Sequence, residues 1–133
     1  MKLTAYGWIL LLIAGCSART ESALTYITEQ EAIRAAVEIA AASRPEISGS
    51  QEQPSNIQAK QMTLEEAVKT IGKDDQPAAG YDPHMIVWLI TMDGLWLSEV
   101  EAPGITVTPA FYHHYAIMLD AKTGAEVESA LTT

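Results

Sequence analysis

The segment HMIVWLITMDGLWLSE, residues 84–99, constrains the fold of this chain more than any other feature. It is rich in β-branched and aromatic residues, and such a composition predicts a buried strand. Asp93-Gly94 interrupts it and allows two interpretations, a two-residue hairpin turn or a bulge at Gly94 within one long strand. We favour the bulge, because the later strand FYHHYAIMLD, residues 111–120, needs a partner of similar length.

The flanking segments extend this pair into an antiparallel sheet. The connection between the two long strands contains two prolines and a glycine and predicts the loop of their hairpin. After the second strand, DAKTG predicts a tight turn in which Gly124 adopts a positive φ. AEVESAL then returns as the last strand, with Ala125, Val127, Ser129 and Leu131 facing inward and Glu126 and Glu128 facing outward. NIQAKQM, residues 56–62, predicts a weak strand at one edge of the sheet.

Two helices are predicted from their first turns. TEQE at 28–31 and TLEE at 63–66 each have the capping-box pattern, a threonine followed three residues later by a glutamate. The apolar residues that follow recur at helical spacing, so we expect helices over 28–43 and 63–71. The first helix is rich in alanine, which allows it to approach a sheet closely. The order of elements therefore predicts an α+β domain, an N-terminal helix packed on a three- to four-stranded antiparallel sheet.

The N-terminus has the pattern of an export signal. Met1-Lys2 provides a positive start, and Leu3 to Gly15 carry no charge and are mostly apolar. A permanent membrane-spanning helix needs about 20 residues, and this segment is shorter. We therefore predict a signal peptide over residues 1–15, a flexible tether over 16–25 and a single folded domain over 26–133.

Ile13-Ala14-Gly15-Cys16 resembles the bacterial lipobox, and Cys16 is the only cysteine in the chain. The resemblance implies cleavage before Cys16 and attachment of a diacylglycerol to its sulfur. The domain would then be anchored to the bacterial cell membrane or outer membrane and face away from the cytoplasm. The alternative is an ordinary secretory signal that is cut, for instance, after Ala18. A single cysteine also excludes a disulfide within the chain.

Two further patches resemble the PepSY-like family of small exported domains. YITEQEAIRAAVE, residues 26–38, is similar to the opening helix of that family, and AIMLDAKTGAEV, residues 116–127, is similar to its closing hairpin. The resemblance implies a cystatin-like α+β fold, a location in the cell envelope and a non-catalytic role. That role is expected to be the binding of other envelope proteins or the modulation of peptidases.

The net charge of the chain limits the kinds of partner that it is expected to bind. The chain carries a net charge of −9, and removal of the signal peptide takes away only one charge, the positive Lys2. This acidity argues against nucleic-acid binding, which depends on Lys and Arg contacts to phosphate. It also argues against electrostatic attachment to anionic lipids. A protein-binding module is the favoured function, and a small-molecule or metal-binding lipoprotein is the alternative.

No motif for catalysis, a metal or a cofactor stands out in the sequence. His113-His114 is the only histidine pair, and adjacent residues of a strand point to opposite faces, so the two cannot bind one ion from a regular strand. We expect one histidine to pack among Phe111, Tyr112 and Tyr115 and the other to be exposed. The sequence thus predicts no catalytic residue, no metal and no cofactor.

Trp96 and the loop that follows it are the candidate contact surface. If a bulge at Gly94 turns Trp96 outward, an exposed patch results from four residues, namely Trp96, Pro103, Ile105 and Tyr112. The alternative is that Trp88 and Trp96 both lie in the core. Prolines in the loop would limit the conformational entropy that is lost on binding.

Overall fold

The structure, a computed structural model, describes residues 25–44, 47–72, 77, 79–98, 103–104 and 109–133. The predicted signal peptide, Cys16 and nearly all of the tether lie outside these residues. The elements in chain order are α1 Glu29–Ala41, β1 Ser55–Thr63, α2 Leu64–Thr70, β2 Ile86–Ser98, β3 Ala110–Asp120 and β4 Glu126–Thr132. This is an α+β architecture, with the N-terminal helix packed on a four-stranded antiparallel sheet. Of the helices in the described stretches, none is long and apolar enough to cross a membrane.

Both helices begin at the predicted capping boxes. At α1 the Thr28 hydroxyl accepts from the backbone N–H of Glu31 at 3.2 Å, and the Glu31 carboxylate accepts from the backbone N–H of Thr28 at 2.7 Å. Thr63 and Glu66 make the same reciprocal pair at α2. Each box satisfies backbone donors that have no partner inside the helix. The first turn of each helix is therefore fixed by residues within four positions of one another.

β2 is one continuous strand that contains a bulge. Asp93 pairs with His114 and Trp96 pairs with Tyr112, so β2 has one residue more than β3 over this interval. The bulge interpretation of Asp93-Gly94 is thus confirmed, and β2 and β3 form the centre of the sheet in the order β1-β2-β3-β4. The predicted edge position of the first strand is confirmed as well.

The two faces of the sheet are covered by different helices. Three alanines of α1 lie buried against one face, which we call the α1 face, over Ile90, Ile117 and Leu119; they are Ala32, Ala36 and Ala40. The short α2 buries Leu64 and Val68 against the opposite face, the α2 face. Each face has its own apolar cluster because successive residues of β2 and β3 alternate between them.

The last strand differs from the prediction. A register shift between Met118 and Leu119 places a bulge in β4, so that Leu119 pairs with Glu126. Val127 packs with the cluster on the α2 face, whereas Glu126 shares the α1 face with Leu119 and forms a salt bridge with Arg44. The prediction that Glu126 faces outward was wrong, because simple alternation does not continue through a bulge.

Trp96 is the largest fully buried side chain among the described residues. Its indole N–H donates to the carbonyl of Ala40 at 3.0 Å, and its ring meets that of Tyr115 edge to face with centroids 5.3 Å apart. A Cβ added at Gly94 would lie 2.6 Å from the Trp96 ring. The bulge does not turn Trp96 to solvent, because the missing side chain at Gly94 lets the ring fold back against α1.

Candidate functional site

The predicted contact surface does not assemble around Trp96. Trp96 is buried, so its assignment to an exposed patch was wrong, and the alternative of a core position holds for it. Tyr112 is half-buried and packs beside the α1-face cluster, while Pro103 is exposed in a turn. Ile105 lies outside the described residues. Trp88 is half-buried and donates its indole N–H to the carbonyl of Ile27 at 3.1 Å.

The histidines also differ from expectation. His113 and His114 are both exposed, so neither is packed among the neighbouring aromatic residues as predicted. Trp96 takes the place against Tyr115 that a histidine was expected to fill. Within the described part of the chain, no three His, Cys, Asp or Glu side chains lie close enough together to hold a metal ion.

A groove lies on the α2 face, where the helix stops short. α2 has only seven residues and is about 10 Å long, so it covers one part of this face. The remainder forms a groove of about 440 Å³, lined by residues from all four strands and from the end of α2, among them Gln58, Thr70, Thr91, His114, Ala116 and Ala130. An adjoining depression of about 390 Å³ shares three of these residues and continues onto the edge strand β1. Together they form an elongated surface that runs from the centre of the sheet to its edge.

Three side chains from three adjacent strands form a hydrogen-bonded network in this groove. Asp93 of β2 accepts from the Asn56 amide of β1 at 3.0 Å, and its second oxygen lies 2.6 Å from Nδ1 of His114 in β3. All three residues line the groove. We call them the Asn56–Asp93–His114 network.

Two backbone irregularities bring the network together. β1 has a register shift between Ser55 and Gln58, and within it Asn56 adopts a positive φ of 48°. Asparagine tolerates this left-handed conformation better than most residues. The bulge in β2 begins at Asp93 itself. Bulges change the direction in which side chains point, and they often occur beside functional sites. Both irregularities lie at the same end of the groove, so we treat this end as the candidate site.

The hydrogen bonds of the network act on the pKa of the Asp93 carboxyl and on the tautomer of a neutral His114 ring. The hydrogen bond from Asn56, followed by the one from His114, holds the pKa of the Asp93 carboxyl below its ordinary value. An ionised carboxylate only accepts hydrogen bonds, so the proton on the His114 ring lies on Nδ1. In the neutral ring Nε2 is then an acceptor.

The pair Asp93–His114 has the orientation of a base held by a carboxylate. Nucleophilic catalysis would further need a hydroxyl or thiol hydrogen-bonded to the histidine. The hydrogen bonds among the described residues join the His114 side chain to Asp93 only. What the arrangement offers chemically is a set of fixed hydrogen-bond acceptors at the surface of a groove.

Sequence reasoning missed this network. Asp93 was considered only as part of a turn or bulge, Asn56 only as the start of a weak strand and His114 only as a partner of His113. The single local signal is an asparagine at the beginning of an edge strand, where a positive φ is tolerated. Comparison of the chain with family models, with curated proteins and with solved structures gives no match.

Proposed function

We propose that this protein is a membrane-tethered, non-catalytic binding module of the bacterial cell envelope. Its lipid anchor is attached to Cys16, and its partner is an envelope protein or a peptidase that it modulates. The observation that carries the proposal is the elongated groove on the α2 face, with the Asn56–Asp93–His114 network at one end. The resemblance of residues 26–38 and 116–127 to PepSY-like domains supports the same role and a cystatin-like fold.

The form of the surface supports a polypeptide partner. The groove and its adjoining depression continue onto β1, which is an edge strand of the sheet. Extended segments bind such edges through backbone hydrogen bonds, while neighbouring pockets accept alternate side chains. Lys60, on the exposed surface of β1, is of the residue type that protects an edge from indiscriminate pairing.

A small-molecule-binding lipoprotein is the second candidate. Its support is the volume of the groove, about 440 Å³, which lies within the range of about 300–1,000 Å³ typical of small-ligand sites. Between the first helix and the sheet, the buried alanines Ala32, Ala36 and Ala40 pack closely and fill the space that a pocket there would need.

Site-specific photo-crosslinking in the native envelope tests the partner. A photoreactive residue replaces Gln58, which is exposed in the groove, and the matched control replaces Arg34, which is exposed on the outer surface of α1. We expect a discrete protein adduct from position 58 and none from position 34. Equal adducts from both positions, or none from position 58 in cells that contain the protein at its natural level, would contradict the proposal.

Fractionation of cells tests the anchor. Cys16→Ser removes the thiol that the lipid needs, so the protein is expected to leave the membrane fraction or to remain uncleaved. Metabolic labelling with an alkyne fatty acid should mark the natural chain and not the variant. A variant that matures normally and remains with the membrane would contradict the lipobox interpretation.

A further inference from the structure

The Asn56–Asp93–His114 network presents acceptors to the groove, while one amide N–H of Asn56 and the Nδ1–H of His114 are used inside the network. Each Asp93 oxygen already has one partner, Asn56 for one and His114 for the other. A carboxylate has about four lone-pair positions, so each oxygen retains capacity for a further donor. The Asp93 side chain is 40% exposed, which leaves this capacity accessible from the groove.

His114 and Asn56 add neutral acceptors around this charge. With its proton on Nδ1, the neutral His114 ring presents Nε2 as a lone pair, and the side chain is 58% exposed. Asn56 donates its amide group to Asp93, and its carbonyl oxygen is a second acceptor beside the carboxylate. A ligand that matches this end of the groove therefore brings several donors.

The charge of the surroundings selects a cation. Among the described residues that line the 440 Å³ groove there is no lysine or arginine, and Asp93 is the acidic one. The chain as a whole has a net charge of −9, so the mean field around it is negative. A positively charged partner group beside Asp93 therefore meets no cation among these residues, whereas Lys60 lines the adjoining depression.

We propose that the groove binds an arginine side chain of an extended partner polypeptide, with Asp93 as the charge partner and Asn56 and His114 as additional acceptors. A guanidinium carries five donors in a fixed planar fork, which suits several acceptors at fixed positions better than a compact ammonium does. The continuation of the surface onto β1 provides space for the flanking backbone. This inference rests on the proposed function for the nature of the partner.

Titration with short peptides tests it on the full-length protein in detergent micelles. The probes are an extended glycine-rich pentapeptide with a central arginine and its counterparts with citrulline or lysine, followed by ¹⁵N–¹H spectra. We expect the arginine peptide to shift the resonances of Asn56, Thr91 and His114. Citrulline keeps the shape and loses the charge, and lysine loses the fork, so both should bind more weakly, the citrulline peptide by about tenfold or more.

Two variants and one control locate the charge partner. Asp93→Asn should weaken the arginine peptide by about tenfold or more. Gln58→Lys, at an exposed position, places a cation in the groove. It should weaken binding of the arginine peptide to a similar extent, and it leaves the three residues of the network unchanged. Asp82→Asn removes the same charge from an exposed position that does not line the groove and should bind as the natural protein does.

Equal binding of the citrulline or lysine peptide, or unchanged binding by both Asp93→Asn and Gln58→Lys, would overturn the arginine inference. Its failure is distinguishable from failure of the proposed function. If a partner protein crosslinks at position 58 and still crosslinks in the Asp93→Asn variant, the proposal of a protein-binding module stands. Only the proposal that the groove binds an arginine side chain is then contradicted. Peptide binding without any crosslinked protein removes the protein partner and leaves the groove as a site for a small guanidinium compound.

Discussion

The two faces of the sheet are covered by helix to different extents. On the α1 face a helix of 13 residues lays buried alanines over the strands, and Trp96 fills the remaining space against Tyr115. On the α2 face a helix of seven residues covers only part of the surface, and the rest is a groove lined by both polar and apolar residues. One face therefore provides most of the apolar burial, and the other is free to carry a binding site. The two faces differ because α1 is long enough to cover its face of the sheet and α2 is not.

The largest effect is expected from removing the main side chain of the closed face. Trp96→Ala should lower the free energy of unfolding by about 3–5 kcal/mol, the range for a fully buried large aromatic residue, because it also removes the donor to Ala40. Urea denaturation followed by circular dichroism measures it. Phe111→Ala, at a side chain that is 53% exposed, is the control and should cost far less. If both variants lowered the free energy of unfolding equally, the closed α1 face would not depend on Trp96 as described.

A smaller effect is expected where β2 accommodates the Trp96 ring. Gly94→Ala would put a methyl group 2.6 Å from that ring, so the ring or the bulge must shift, at a cost of about 1–3 kcal/mol. Gly94 does not have a positive φ, so the cost is steric rather than conformational. The measurement is a double-mutant cycle with Trp96→Phe, whose smaller ring should absorb the added methyl group. A cost at Gly94 that is unchanged in the Phe background would place its cause elsewhere.

The smallest effect, and the one that concerns the open face, is the pH dependence contributed by Asp93. Its pKa is lowered in the folded protein, so it stabilises the fold at pH values above its ordinary pKa. That contribution disappears as the pH falls through the lowered pKa, because protonation then occurs equally in the folded and unfolded chains. Asp93→Asn should thus be slightly less stable than the natural protein near neutral pH, and the difference should vanish at strongly acid pH.

Denaturation midpoints from neutral to strongly acid pH measure this difference. Asn56→Gly removes the hydrogen bond that lowers the pKa of Asp93 most. Glycine also tolerates the positive φ at this position. The variant should flatten part of the same pH dependence. A difference between Asp93→Asn and the natural protein that grows on acidification would contradict the assigned direction of the pKa.

Most of the secondary structure could be predicted from the sequence, and the site could not. The capping boxes at Thr28 and Thr63 set the start of each helix, and the apolar segment at 84–99 contains the central strand β2, Ile86–Ser98, with its bulge. The lipobox prediction for Cys16 concerns residues outside the described part of the chain and stays a prediction. The exposed position predicted for Trp96 was wrong, because the space above Gly94 is a property of the folded sheet.

The sequence by itself determined those features that depend on neighbours along the chain. A capping box joins residues three apart, and strand alternation follows from the backbone of each strand alone. The groove depends on tertiary structure, since Asn56 and His114 lie 37 and 21 residues from Asp93 along the chain. Two bulges set the register that brings them together, and a one-residue change of register would turn their side chains to the other face. Only the folded sheet decides which polar residues lie together in the groove.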